Sequence, residues 1–183
     1  MKINSKSLTT IIEPALDDFF KHELTSILAD VSERSLCSRL ALHFETHMKA
    51  NGLTGYYADT EYNRKQEGEV KTILSGNMEE IQITCDMIVH SRGEIPKKDN
   101  LIALEMAKSN KSSSDMQDDR NRLMALTKTS FNGVWSNDGK TFPEHVCGYS
   151  KGLYLIINHH KRTAELESYY RGKQSKATVS LSF

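Results

Sequence analysis

Residues 84–110, TCDMIVHSRGEIPKKDNLIALEMAKSN, hold two apolar runs, each interrupted by one carboxylate, Asp86 in the first and Glu105 in the second. The stretch between them carries Gly93, Pro96 and the Asp99-Asn100 pair, which are turn residues. Side chains alternate along a strand. Asp86 therefore shares a face with Thr84, Ile88 and His90, and Glu105 shares one with Leu101, Ala103 and Ala107. A charge buried without a partner is expensive. Pairing of the two strands would bring the carboxylates to one site, where they could hold a hard divalent cation through oxygen ligands.

Around that pair the chain predicts helix, strand, strand, strand, helix, strand. An α/β fold, a mixed central sheet flanked by helices, is the layer solution for that order. Residues 1–8 are a polar arm. Residues 9–29 place Ile11, Ile12, Ala15, Leu16, Phe19, Phe20, Leu24, Ile27 and Leu28 at helical spacing, with Pro14 in the first turn. The next helix runs from an N-cap at Ser32 to a stop at Asn51-Gly52, and Glu33 in its first turn complements the helix dipole. Residues 54–65 alternate and are rich in tyrosine, as a first strand is, and 64–80 form a hairpin or loop. Strands follow at 81–90 and 101–108. A helix at 116–127, capped by Ser114 or Asp115, turns Asp118, Asp119, Arg120 and Arg122 to solvent. Residues 128–147 are loop, 152–158 (GLYLIIN) a buried central strand and 164–170 a last strand, while 172–183 is ambiguous. One domain covers 1–183, with a helical extension at 1–30 and a core at 31–171. The extension, outside the core order, is the segment expected to meet a second copy or a partner protein.

Composition bears on partners. The chain has 183 residues, with 24 Lys+Arg against 24 Asp+Glu. That balance disfavours a general nucleic-acid coater but not a local basic groove. Lys97, Lys98, Lys108, Lys111, Arg120 and Arg122 could line such a groove or be ordinary solvated charge. Three cysteines far apart, Cys37, Cys85 and Cys147, fit buried thiols in a reducing cytoplasm. No apolar run is long enough to cross a membrane, and Glu13 argues against a signal peptide. His43 and His47 stand four apart on one helix, but without a zinc-site context they read as helix-surface residues, as do His159-His160 at a strand end. His90, on the Asp86 face, falls either at the rim of the carboxylate site or on the surface. Tyr56, Tyr57, Tyr62 and Trp135 read as packing residues.

Hydrolysis of a phosphodiester needs a cation on the phosphoryl group, an activated water and a positive side chain near the reacting oxygens. In a strand, an Asp followed on the next strand by Glu-x-Lys supplies all three. This chain has Asp86 and then Glu105-Met106-Ala107.

The segments ERSLCSRLALHF (33–44), TEYNR (60–64), CDMIVHSRG (85–93), NLIALEMAKSN (100–110), RNRLMALT (120–127) and GLYLIIN, in that order, resemble a family of small bacterial proteins with the PD-(D/E)XK nuclease-like fold. The family reads Pro-Asp-x-Ile-Val-His, then Asn-Leu-x-x-x-Glu-x-Lys-Lys-Ser. The resemblance implies a restriction-endonuclease-like αβββαβ core and a nuclease using Mg2+ or Mn2+, acting on DNA in preference to RNA. It implies Asp86 and Glu105 as metal ligands, Glu33 as an acid assisting the metal or its water, and Glu61 at the border of the site. Two positions depart from the pattern: Cys85 replaces proline, and Ala107 stands where the active-site lysine is expected. Lys108 is one residue along, which on a strand means the opposite face, although a long side chain at a strand end could curl back. Three accounts of Ala107 stand: engineered inactivation, which the close match of its neighbours favours, a natural pseudo-nuclease, or a displaced lysine. The expectation is a nuclease inactive or crippled as given. Its rivals are a catalytically dead nuclease fold serving as a binding or regulatory module in a defence or toxin system, and an interaction protein whose carboxylates are merely salt-bridged.

Overall fold

A computed structural model of the chain describes residues 5–61, 72–74, 80–82, 85–129 and 148–183. The elements run α1 (Ser5–His22), α2 (Leu24–Leu28), α3 (Glu33–Ala50), β1 (Tyr57–Thr60), β2 (Thr72–Leu74), β3 (Glu80–Gln82), β4 (Met87–His90), β5 (Asn100–Lys108), α4 (Ser113–Leu126), β6 (Lys151–Asn158), β7 (Thr163–Tyr170), β8 (Lys173–Gln174) and β9 (Val179–Ser182). Seven strands make one sheet in the order β1-β4-β5-β6-β7-β8, with β9 also on β7, and β2-β3 form a separate hairpin. Neighbours are antiparallel except β5 and β6, which are parallel because α4 carries the chain back across the sheet between them. With the hairpin set aside, α3 to β6 reads αβββαβ.

Strand alternation divides the core into two layers. Met87, Val89, Ile102, Leu104, Met106, Leu153, Leu155 and Ile157 pack with α1 and α3. Ile88, Ala103, Ala107, Tyr154, Ile156 and Tyr169 pack with α4 through Leu123, Ala125 and Leu126. Gly152 lets the end of α4 settle on β6, since a Cβ there would stand 3.0 Å from Thr127 Cγ2 and from Tyr169 Cβ. Among the described residues, no helix is long and apolar enough to cross a membrane.

Several expectations need correction. The first helix begins at Ser5, and Leu8 is already buried, so the polar arm is shorter than 1–8. Pro14 lies in mid-helix rather than in a first turn. The stripe Leu8, Ile11, Ile12, Ala15, Leu16, Phe19, Phe20 buries enough apolar surface to outweigh its cost of about 3 kcal/mol. The helix breaks at Glu23, whose carboxylate turns inward to accept from Arg39 Nε at 2.9 Å. These helices share the core of α3 and the sheet, while Leu28 stays exposed. Phe20 also stacks on Phe183, with ring centroids 4.6 Å apart, and the tail adds two strands to the sheet.

The expected strand 81–90 is two: Ile81 and Gln82 belong to the hairpin, and the sheet strand starts only at Met87. The cap of α4 is Ser112, which accepts from Asp115 N–H at 3.2 Å, two or three residues earlier than expected. His43 and His47 face α1 rather than solvent, His47 bonding Asp18 at 2.8 Å and His43 lying 3.6 Å from Glu23. His90 is 2 % exposed and bonded to Asp59 Oδ2 at 2.9 Å, so it is an interior residue and not a rim one. His159 is half-buried beside Asp30, and His160 is exposed. Tyr56 is buried and Tyr57 lies under the Arg92 guanidinium. Tyr62, Trp135, His145 and Cys147 lie outside the described residues.

Candidate functional site

The antiparallel ladder of β4 on β5 ends at the pair Met87–Leu104, and the next step along it brings Asp86 alongside Glu105. There the Asp86 side chain takes the place of a backbone acceptor: its Oδ2 receives the Met106 N–H at 2.8 Å. Cys85, the residue before it, donates its buried thiol to the Leu104 carbonyl at 3.1 Å. The end of β4 is thus pinned to β5 by two side chains.

Two further acids gather at this end of the sheet. Glu33, the first residue of α3, accepts the Lys108 N–H at 2.9 Å and ties the helix to the last residue of β5. Glu61 follows β1 in a left-handed conformation, φ 51°, that few non-glycine residues adopt, and its carboxylate is held by Arg34 Nε. A cleft of about 170 Å³ opens between them, lined by Glu33, Arg34, Cys37, Thr60, Glu61 and Asp86. Burial and the charges of Asp86, Glu105, Glu33 and Glu61 all push the Cys37 thiol upward, so it stays a protonated, unreactive group at the cleft floor.

Glu105 lies behind the cleft, 1 % exposed and under α4. Arg122 reaches it from the helix, Nη1 to Oε1 at 2.7 Å. Burial first, and then the charge of Asp86, raise Glu105 to about 8 in spite of Arg122. Arg122 is held firmly charged by Glu105 and Asp119 although burial works against it. Burial and the neighbouring Asp86 thus disfavour the ionised form of Glu105, against the pull of Arg122.

The acid that sequence reasoning set on the solvated face of α4 is inside. Asp119 is 4 % exposed and accepts from Lys111 Nζ, from Tyr154 Oη at 2.9 Å and from Arg122 Nη1 at 3.3 Å. Arg120 likewise turns inward, to Glu167 at 2.8 Å. Of the basic residues proposed for a groove, Lys111, Arg120 and Arg122 are committed to buried carboxylates. A signal for Asp119 was present: with Met116, Leu123 and Leu126 it falls on one stripe of α4 at helical spacing, and a carboxylate in such a stripe needs an internal partner.

Position 107 is fully buried, its methyl group packed in the apolar layer beneath α4. Lys108 leaves the strand on the other side, where Nζ meets Asp30 Oδ1 at 2.7 Å and the Asp30 carbonyl at 3.0 Å.

The oxygen donors of Asp86 and Glu105, with Glu33 and Glu61 close by, fit a hard divalent cation in kind, and the raised Glu105 marks the charge such an ion would offset. In the arrangement seen, each of the four has a hydrogen bond within the protein, and among the described residues no three His, Cys, Asp or Glu side chains are set to hold a metal ion. Comparison of the chain with protein families, with curated proteins and with solved structures finds no match.

Proposed function

We propose that this chain is a metal-dependent phosphodiester hydrolase of the PD-(D/E)XK nuclease type, acting on DNA in the cytoplasm, with Asp86 and Glu105 as the carboxylates that hold Mg2+ or Mn2+. The observation that carries the reading is the adjacency of Asp86 and Glu105 at the end of β5, with Glu105 pushed up to about 8 by burial and by its neighbour. Bound there, the ion would lower the pKa of a water and polarise a phosphoryl oxygen. Asp86 is fixed by the Met106 N–H, which orients its carboxylate. Glu33 stands at the same strand end, where it can accept a proton from a water in the cleft. Arg122 must yield one oxygen of Glu105, and Asp119 is already beside it to take the guanidinium. Ala107 contributes no charge, which leaves the hydrolysis crippled.

A second reading has its own observation. The Arg122–Glu105 ion pair already satisfies the buried carboxylate, as a nuclease-like scaffold retained for binding or regulation would have it. Calorimetry separates the two. The hydrolase reading expects Mn2+ to bind and Asp86→Ala to abolish that binding. It also expects slow cleavage of plasmid and single-stranded DNA by the unmodified chain, and faster cleavage by Ala107→Lys once thermal unfolding shows that variant to be folded. Absence of Mn2+ binding through Asp86, together with an inert, folded Ala107→Lys protein, would overturn it.

A further inference from the structure

Among the described residues, four basic side chains stand near the end of β5. Lys108 is drawn to the α1–α3 side by Asp30. Arg34 lies 74 % exposed at the lip of the cleft, paired with Glu61. Arg122 is beneath, spanning Glu105 and Asp119.

Lys111 is the fourth. Its own N–H closes a turn onto the Lys108 carbonyl at 3.0 Å, while Glu33 holds the N–H of that same residue from the other side. Lys111 and Glu33 are therefore both fastened to the last residue of β5. The Lys111 side chain is 26 % exposed and its ammonium rests on Asp119, which Tyr154 and Arg122 hold in place. A long side chain seldom keeps one position at a surface, because it loses rotamer freedom. Here the anchor is itself buried and bonded three times.

We propose that Lys111 supplies the cationic group that position 107 lacks, so that the charge meeting a phosphoryl oxygen comes from the turn after β5 rather than from the strand. The inference rests on the hydrolase reading above. The role is electrostatic, and no proton is moved: burial pulls the Lys111 ammonium down, but the Asp119 bond and the charges of Asp119, Glu33 and Asp86 leave it above its ordinary value. Those same charges draw it toward the carboxylate site. Asp119 then acts as a positioning residue that aims the ammonium.

The test is turnover of plasmid DNA with Mn2+ by the full chain and four variants, with the unfolding midpoint and Mn2+ affinity of each. Lys111→Gln should lose on the order of 100-fold in kcat, the usual effect of removing one donor from a site of this type, with Mn2+ affinity held. Lys111→Arg should retain most of the rate, and Arg34→Gln should cost far less than Lys111→Gln. Ala107→Lys placed in the Lys111→Gln background should recover the lost turnover. If Lys111→Gln also lowers the midpoint, that double variant decides the matter: recovery on the weakened scaffold supports a cationic role, and no gain overturns it. A Lys111→Gln protein that cuts like the parent, or a parent that binds Mn2+ yet does not cut, overturns the Lys111 role and leaves the metal site standing. Loss of Mn2+ binding altogether would instead remove the hydrolase reading on which it rests.

Discussion

The two faces of the sheet are built by different rules. Beneath α1 and α3 the strands present Met87, Val89, Ile102, Leu104, Met106, Leu153, Leu155 and Ile157, an unbroken apolar surface met by the stripes of two long helices. Beneath α4 the same strands present Glu105 and Tyr154 among small and apolar residues, and the helix answers with Asp119 and Arg122. The first face gains stability from area. The second buries charges whose desolvation consumes most of what their pairing returns. On the α1–α3 side the strand surface is apolar, and charged pairs such as Glu23 with Arg39 lie between helices instead.

If that division is right, the largest loss of stability comes from the apolar face and is indifferent to pH. Leu104 is 0 % exposed in the α1–α3 layer. Leu104→Ala should destabilise the chain by about 3 kcal/mol through lost transfer energy and the cavity left behind. Urea unfolding at pH 5 and at pH 8 should return the same loss. A difference between the two would mean that the faces are electrically coupled through the sheet.

The α4 face should instead show its effect only as a pH dependence. Glu105 sits at about 8 in the folded chain, against an ordinary carboxylate value near 4.3 when unfolded. The folded state therefore holds a proton that the unfolded state releases. The stabilisation from this is present below the unfolded value and is lost as pH climbs toward 8. The unmodified chain should be more stable at pH 5 than at pH 8, and Glu105→Gln should flatten that decline, by an amount on the order of a few kcal/mol. Mn2+ at pH 8 should restore stability to the parent and not to Glu105→Gln, since an ion bound only by the folded form stabilises it. A decline that survives in Glu105→Gln would assign it to another group.

The same division explains what could be read in advance. The apolar face is written in periodicity. The stripes of α1 and α3, the Ser32 cap and the run at 152–158 each follow from spacing alone, and so does the order of the core elements. Spacing cannot tell where a ladder ends, which is why residues 81–90 read as one strand although Ile81 and Gln82 pair elsewhere. For the candidate site, the nearness of Asp86 to Glu105 was legible from alternation and pairing. The partner of Glu105 was not, because Arg122, itself braced by Asp119, reaches it from a helix whose orientation depends on the crossover to β6. Polar residues on α4 read as a solvated face when the partner that draws them inward lies elsewhere in the chain.

The smallest effect is expected from the residue that the motif most invites one to try. Lys108 follows Ala107, and in a helix or loop it could stand in for a lysine there. In β5 it belongs to the opposite face, and its ammonium is bound to Asp30 between α2 and α3. The pair is partly exposed, so Lys108→Ala should change stability by less than about 1 kcal/mol. It should leave DNA turnover and Mn2+ affinity where they were, because Glu33 is held by the Lys108 backbone N–H, which the substitution keeps. A large fall in turnover at unchanged stability would show that the Lys108 side chain curls back across the strand end. It would transfer to the α1–α3 side a chemical role that the division of the sheet gives to α4 and the turn before it.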